Sequence, residues 1–264
     1  MNVPRHAIFE KTSERDICNI CLQRQPLTLD HVPPKSTLPV RQVLVKPFFQ
    51  QKDRRPVGSQ SGVKYRTLCR TCNGDRLGRI YDPALIAMCS QARRLHRNRH
   101  LITQQPFIEV DASKVIRSVL GHLLAAEVQT PRSRAADDMR AFIMDPSLST
   151  LNGLRVMYWA HPDRSIRVMR ETVIVQFGQP QLDMVRCDML VWYPLGFLVC
   201  DRPVFDMPCL DDYLVGNGGR VMVPLRALAS GALERWLNQV GMVTGDPSDS
   251  AYQADHPHKP EIEW

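Results

Sequence analysis

The chain has 264 residues, 44% hydrophobic and 23% charged, an ordinary globular composition with length for one large domain or two modest ones. No run approaches the roughly 18 apolar residues of a membrane span, and the N-terminal residues form no apolar secretory stretch, so a cytoplasmic protein with no membrane partner is predicted. The net charge of +7 is unevenly spread: residues 1–100 hold 19 Lys and Arg against 7 Asp and Glu, the remainder 15 against 20, which points to a polyanionic partner at the basic end.

Taken in chain order, residues 16–30 read as a knuckle built on Cys18-x-x-Cys21, then an extended arm in which Leu27, Thr28 and Leu29 lead to Asp30-His31. Pro33-Pro34 stiffens the exit. The stretch from Lys35 to Gly62 reads as an insertion, polar and basic from Gln50 onward, and a mobile loop is expected there. Tyr65 to Leu68 can return as a second strand into Cys69-x-x-Cys72, and Asn73 opens a short helix. Asp82-Pro83 reads as the start of another helix, Asp as N-cap and Pro in its first turn. Leu85, Met88, Cys89, Ala92 and Leu95 form its apolar stripe, outside which lie Arg93, Arg94 and Arg97.

Beyond residue 100 the pattern changes. Asp111 can cap a helix with Val115, Ile116, Val119, Leu120, Leu123 and Leu124 at helical spacing, and a shorter helix is expected from Ala135 to Met144. Strand-like runs follow at 155–160, 165–175, 182–192 and 196–200, separated by turn formers, which predicts an antiparallel sheet. The organisation expected is a basic, cysteine-bearing segment at 1–100, an α+β domain at 101–244 serving target recognition, dimerisation or regulation, and a flexible tail at 245–264.

Eight cysteines in a reducing compartment are poor disulfide formers, and closely spaced ones are metal ligands. Cys18, Cys21, Cys69 and Cys72 form two matching pairs that suit a closed tetrahedral zinc site. Cys89, Cys187, Cys200 and Cys209 lack paired spacing and read as small core residues. His122, on an apolar helix, reads as a satisfied core histidine; Trp159, Trp192 and Tyr193 read as core. Asp30, His31 and Asn73, an acid, an imidazole and an amide, stand at fixed offsets from the cysteines, the groups a reactive cation and a general base need.

These residues, together with the string Leu29-Asp30-His31-Val32-Pro33-Pro34-Lys35, resemble the HNH endonucleases, the ββα-metal or His-Me finger nucleases, over residues 16–98. The resemblance implies a zinc-stabilised, treble-clef-like ββα-metal finger joined to the C-terminal α+β domain. It implies hydrolysis of DNA phosphodiester bonds, RNA not being excluded, with His31 as general base. Asp30 and Asn73 would hold one Mg²⁺ or Mn²⁺, and the four cysteines a structural Zn²⁺. Arg76, Arg93, Arg94 and Arg97 are candidate phosphate contacts, a protein partner or second copy is expected at the C-terminal domain, and restriction or anti-phage defence is the role suggested by analogy. The middle asparagine that orients the base in many relatives is missing from Val63 to Leu68, where a backbone carbonyl could substitute. The alternative is a zinc-organised nucleic-acid-binding module without catalysis.

Overall fold

The computed structural model describes residues 8–38, 42–47, 57–60, 62–97, 106–163, 165–176, 183–204, 206–214, 219–228, 240–243 and 251–255. The first sheet joins β1 (Ile8–Glu10), β2 (Arg15–Ile17), β3 (Arg24–Val32) and β6 (Val63–Cys69) in the order β1-β6-β3-β2. β3 and β6 pair antiparallel, as expected from the two arms, while β1 adds in parallel to β6. The pairing skips Thr67, whose hydroxyl instead donates to the carbonyl of Ala125 at 2.7 Å.

A wide π-type helical segment, Thr71–Tyr81, follows and runs without a break into α1 (Asp82–Arg97). Asp82 is therefore not the N-cap that its sequence suggests: its own backbone is helical and its amide bonds the carbonyl of Leu77. Proline has no amide to continue an α-helix and its ring crowds the carbonyl four residues back, so wide turns immediately before Pro83 let the chain pass it without ending. The predicted stripe is otherwise correct, with Leu85, Met88, Cys89 and Ala92 buried.

α2 (Ala112–Ala125) is the central pillar. Asp111 caps it by accepting from the Lys114 amide at 3.1 Å, and every residue from Val115 to Ala125 is buried, so the helix is enclosed rather than one-sided. It lies so close to the π-type segment that a Cβ on Gly121 would collide with the Leu77 side chain. α3 (Arg134–Met144), capped by Ser133, packs beside it.

The large sheet carries the four predicted strands, β8 (Arg155–Ala160), β9 (Ile166–Gln176), β10 (Asp183–Trp192) and β11 (Leu195–Cys200), all paired antiparallel. It extends through β14 (Ala251–Asp255), β4 (Gln42–Pro47) and β5 (Val57–Gln60), in the order β5-β4-β14-β9-β10-β11-β8, and β13 (Val240–Val243) also pairs with β9. Two expectations change here. Residues 57–60 of the supposed loop and 251–255 of the supposed tail are strands, the first folding back on β4 as a hairpin and the second finding partners in β4 and β9 far away in sequence; residues 50–56 and 61, and the rest of the tail, lie outside the described residues. β7 (Phe107–Val110) and β12 (Val221–Pro224) form a separate ribbon.

The chain is thus mixed α+β with few helices and mainly antiparallel sheets. One hydrophobic cluster runs continuously from Cys18 to Leu225, and a second, containing Trp159, Cys187, Cys200 and Cys209, lies on the large sheet. Residue 100 does not separate two cores, since the α2 apolar residues belong to the same cluster as the knuckle cysteines. Charged groups strengthen the join: Arg170 on β9 pairs with Asp188 at 2.7 Å and reaches Glu127, just past α2, at 3.5 Å. Among the described residues, no helix is long and apolar enough to cross a membrane.

Candidate metal centre and the residues around it

Cys18 and Cys21 stand on the turn between β2 and β3, Cys69 at the end of β6, and Cys72 at the start of the π-type segment. The turn closes through Leu22 to Cys18 (N–H to carbonyl, 2.9 Å) and Cys18 to Gln23 (3.0 Å), with Leu22 in the left-handed region at φ 57°. A leucine there costs about 1–2 kcal/mol of backbone strain, which the surrounding turn bonds offset. Second anchors fix the knuckle to α2: the buried Asn19 amide donates to the carbonyls of Leu124 and Glu127 at 2.9 and 2.7 Å, satisfying the helix C-terminus. From α3, Arg140 donates to the Asn19 carbonyl at 2.7 Å and to that of Pro131, and pairs with Asp137.

The four sulfurs all lie within 4.8 Å of one another. Cys21 and Cys69 are 3.8 Å apart, which matches the edge of a tetrahedron with metal–sulfur bonds of about 2.3 Å. Hydrogen bonds from the Cys72 thiol and the backbone amide of Cys69, the latter at 3.3 Å, hold the Cys18 pKa down to about 5, against burial. Burial raises that of Cys21 to about 11. The cluster can hold a structural metal ion such as zinc, and the donor set, all soft thiolate, fits that ion.

Because Cys72 belongs to the cluster, the residue after it is delivered to β3. The Asn73 amide donates to the Thr28 hydroxyl at 3.0 Å and to the Leu29 carbonyl at 3.1 Å, one residue before Asp30. Its side-chain oxygen accepts nothing among the described residues. Asp30 is 7% exposed, against the helices, and its strand neighbour His31 is half-buried. Burial pushes the His31 imidazole below its ordinary pKa, Lys64 and Lys35 add to this, and Asp30 opposes it. Lys64 is its cross-strand partner. The His31 Nε2 is buried and has no hydrogen-bond partner among the described residues.

Asp30 meets a residue that sequence reasoning assigned only to the core. The His122 Nδ1 lies 3.0 Å from Asp30 Oδ2, its Nε2 lies 3.1 Å from Asp82 Oδ1, and the Ser118 hydroxyl donates to the same Asp82 oxygen at 2.6 Å. His122 is 1% exposed. Burial alone would lower its pKa, but the two carboxylates and their hydrogen bonds reverse this and raise it to about 10. Asp82 is in turn held below the usual carboxylate range by His122 and Ser118, in spite of burial. The available signal was an ionisable side chain set among Val119, Leu120, Leu123 and Leu124, a position that requires a partner.

The predicted arginines divide. Arg76 caps α3, donating to the carbonyls of Ile143 and Met144 at 3.4 and 3.3 Å, and Arg93 donates to the Thr37 carbonyl, so both serve internal contacts. Arg94 and Arg97 are exposed on α1. No protein-family model matches the chain, and no curated protein or solved structure is significantly similar to it.

Proposed function

We propose that the chain is a metal-dependent endonuclease of the HNH kind, acting on DNA. The observation that carries the reading is the bonding of Asn73 to the β3 backbone beside Asp30 and His31, brought about by a cysteine cluster that ends at the preceding residue. Asp30 and Asn73 would offer hard oxygen ligands to one Mg²⁺ or Mn²⁺, and each retains a side-chain oxygen with no hydrogen bond among the described residues. When bound, that ion supplies positive charge for the scissile phosphate. His31, kept neutral at physiological pH by its lowered pKa, can accept the proton of an attacking water. Lys64 and Lys35 beside it, with exposed Arg94 and Arg97 on α1, supply cationic surface for a phosphate backbone.

The second reading, a silent zinc-organised nucleic-acid-binding module, is favoured by one observation: Asp30 already has an ionic partner in His122. Nicking of supercoiled plasmid by the full chain separates the two. His31→Ala is expected to abolish Mg²⁺- or Mn²⁺-dependent nicking while melting temperature and bound zinc stay as in wild type. Equal cleavage by variant and wild type defeats the proposed role of His31, and DNA binding without cleavage by wild type establishes the second reading.

A further inference from the structure

We infer that His122, anchored by Asp82 and Ser118, is the positioning residue for Asp30, so that α2 forms part of the cation site. The inference rests on the nuclease reading and names the device that orients one of its ligands.

The trio is drawn from three elements, with Asp30 on β3, Asp82 on α1 and His122 on α2, the histidine standing 92 and 40 residues away from its two partners. Both ring nitrogens face carboxylate oxygens, at 3.0 Å from Asp30 and 3.1 Å from Asp82, so the ring is held at both ends. Two consequences follow for Asp30. Its Oδ2 is engaged, which fixes the plane of the carboxylate and leaves Oδ1 as the oxygen available to a ligand. Asp82 and Ser118 hold the far side of the ring, so the ring keeps its orientation toward Asp30. Ser118 and Asp82 carry no other load visible at this place: the serine hydroxyl is spent on the Asp82 oxygen that also meets the ring.

A metal-binding carboxylate braced through its second oxygen is the arrangement in which outer partners change metal affinity or activity by about 10–100-fold. A purely structural ion network would instead change stability and leave the metal dependence of the folded protein alone.

The test uses the full zinc-loaded chain and Mn²⁺ as probe, read both by paramagnetic titration of bound Mn²⁺ and by the Mn²⁺ concentration giving half-maximal plasmid nicking. Asp82→Asn keeps an oxygen to accept from the ring but removes its charge, and His122→Asn keeps an N–H near the Nδ1 position; His122→Leu removes both contacts. His122→Leu and Asp82→Asn are expected to raise the half-maximal Mn²⁺ concentration by about 10–100-fold, with a smaller rise for His122→Asn. If His122→Leu does not fold, Asp82→Asn and His122→Asn decide the question. Wild-type Mn²⁺ affinity in the folded variants, with wild type cutting normally, overturns this inference and leaves the nuclease reading in place. A wild-type chain that neither binds Mn²⁺ nor cuts removes the nuclease reading and this inference with it.

Discussion

Deprotonating His122 should loosen the fold, because its charge is what reconciles two carboxylates within one buried site. Its folded pKa of about 10 lies above the ordinary 6.5, so the stabilisation is complete below pH 6.5 and disappears as pH rises toward 10. At about 1.4 kcal/mol per pH unit the whole interval is worth about 5 kcal/mol, similar to the 3–5 kcal/mol typical of breaking a buried ion pair. Between pH 6.5 and 9.5 the expected loss is about 3 to 4 kcal/mol. Urea unfolding of wild type and His122→Asn across this range, without added divalent cation, measures it. The comparison between the two chains cancels other groups that titrate in the same range, including Cys209, raised to about 11 by burial. Wild type should lose its advantage steadily over the variant as pH rises. A constant difference between the two would refute the charged-histidine argument.

The remaining predictions concern the cysteine cluster and the base. Cys72→Ser should lower bound zinc, by metal analysis, from one equivalent per chain to well below it. The stability loss should be smaller than the about 10–16 kcal/mol seen where metal alone folds a small domain, because Asn19 and Arg140 also hold the knuckle; retention of a full equivalent would contradict a four-thiolate site. Lys64→Ala removes a positive charge opposite His31, so the His31 pKa should rise and the acid limb of the cleavage profile should move to higher pH by roughly a few tenths of a unit. A move to lower pH would show that another group sets that limb.

Local signals were readable wherever a residue's partner lies close in sequence. The stripe on α1, the Asp111 end of α2, the helix from about Ala135 to Met144, and the four consecutive strands depend on periodicity and turn chemistry within about ten residues. Cys18, Cys21, Cys69 and Cys72 were legible too, since paired spacing reports the bending of backbone around one ion. Asp82 misled because a cap motif describes the chain only locally, and here the preceding residues are already helical while the carboxylate is recruited by α2. Arg76 and Arg93 looked like free cations because nothing in their surroundings foretells that the end of α3 and the carbonyl of Thr37 come to them. The Asp30–His122 contact joins residues 92 positions apart, a distance over which a pattern in one sequence carries no pairing information.

The placement of β14 has a consequence for how the chain is made. Residues 251–255 lie between β4 and β9, so an excursion translated early, between the two cysteine pairs, meets the large sheet, among the described residues, through a strand translated much later. During vectorial synthesis the β4–β5 hairpin must wait, with one edge unpaired, until residues 251–255 have left the ribosome. A nascent chain that stops short of residue 251 would keep its knuckle and pillar yet release that hairpin, leaving an open edge ready to pair with another molecule.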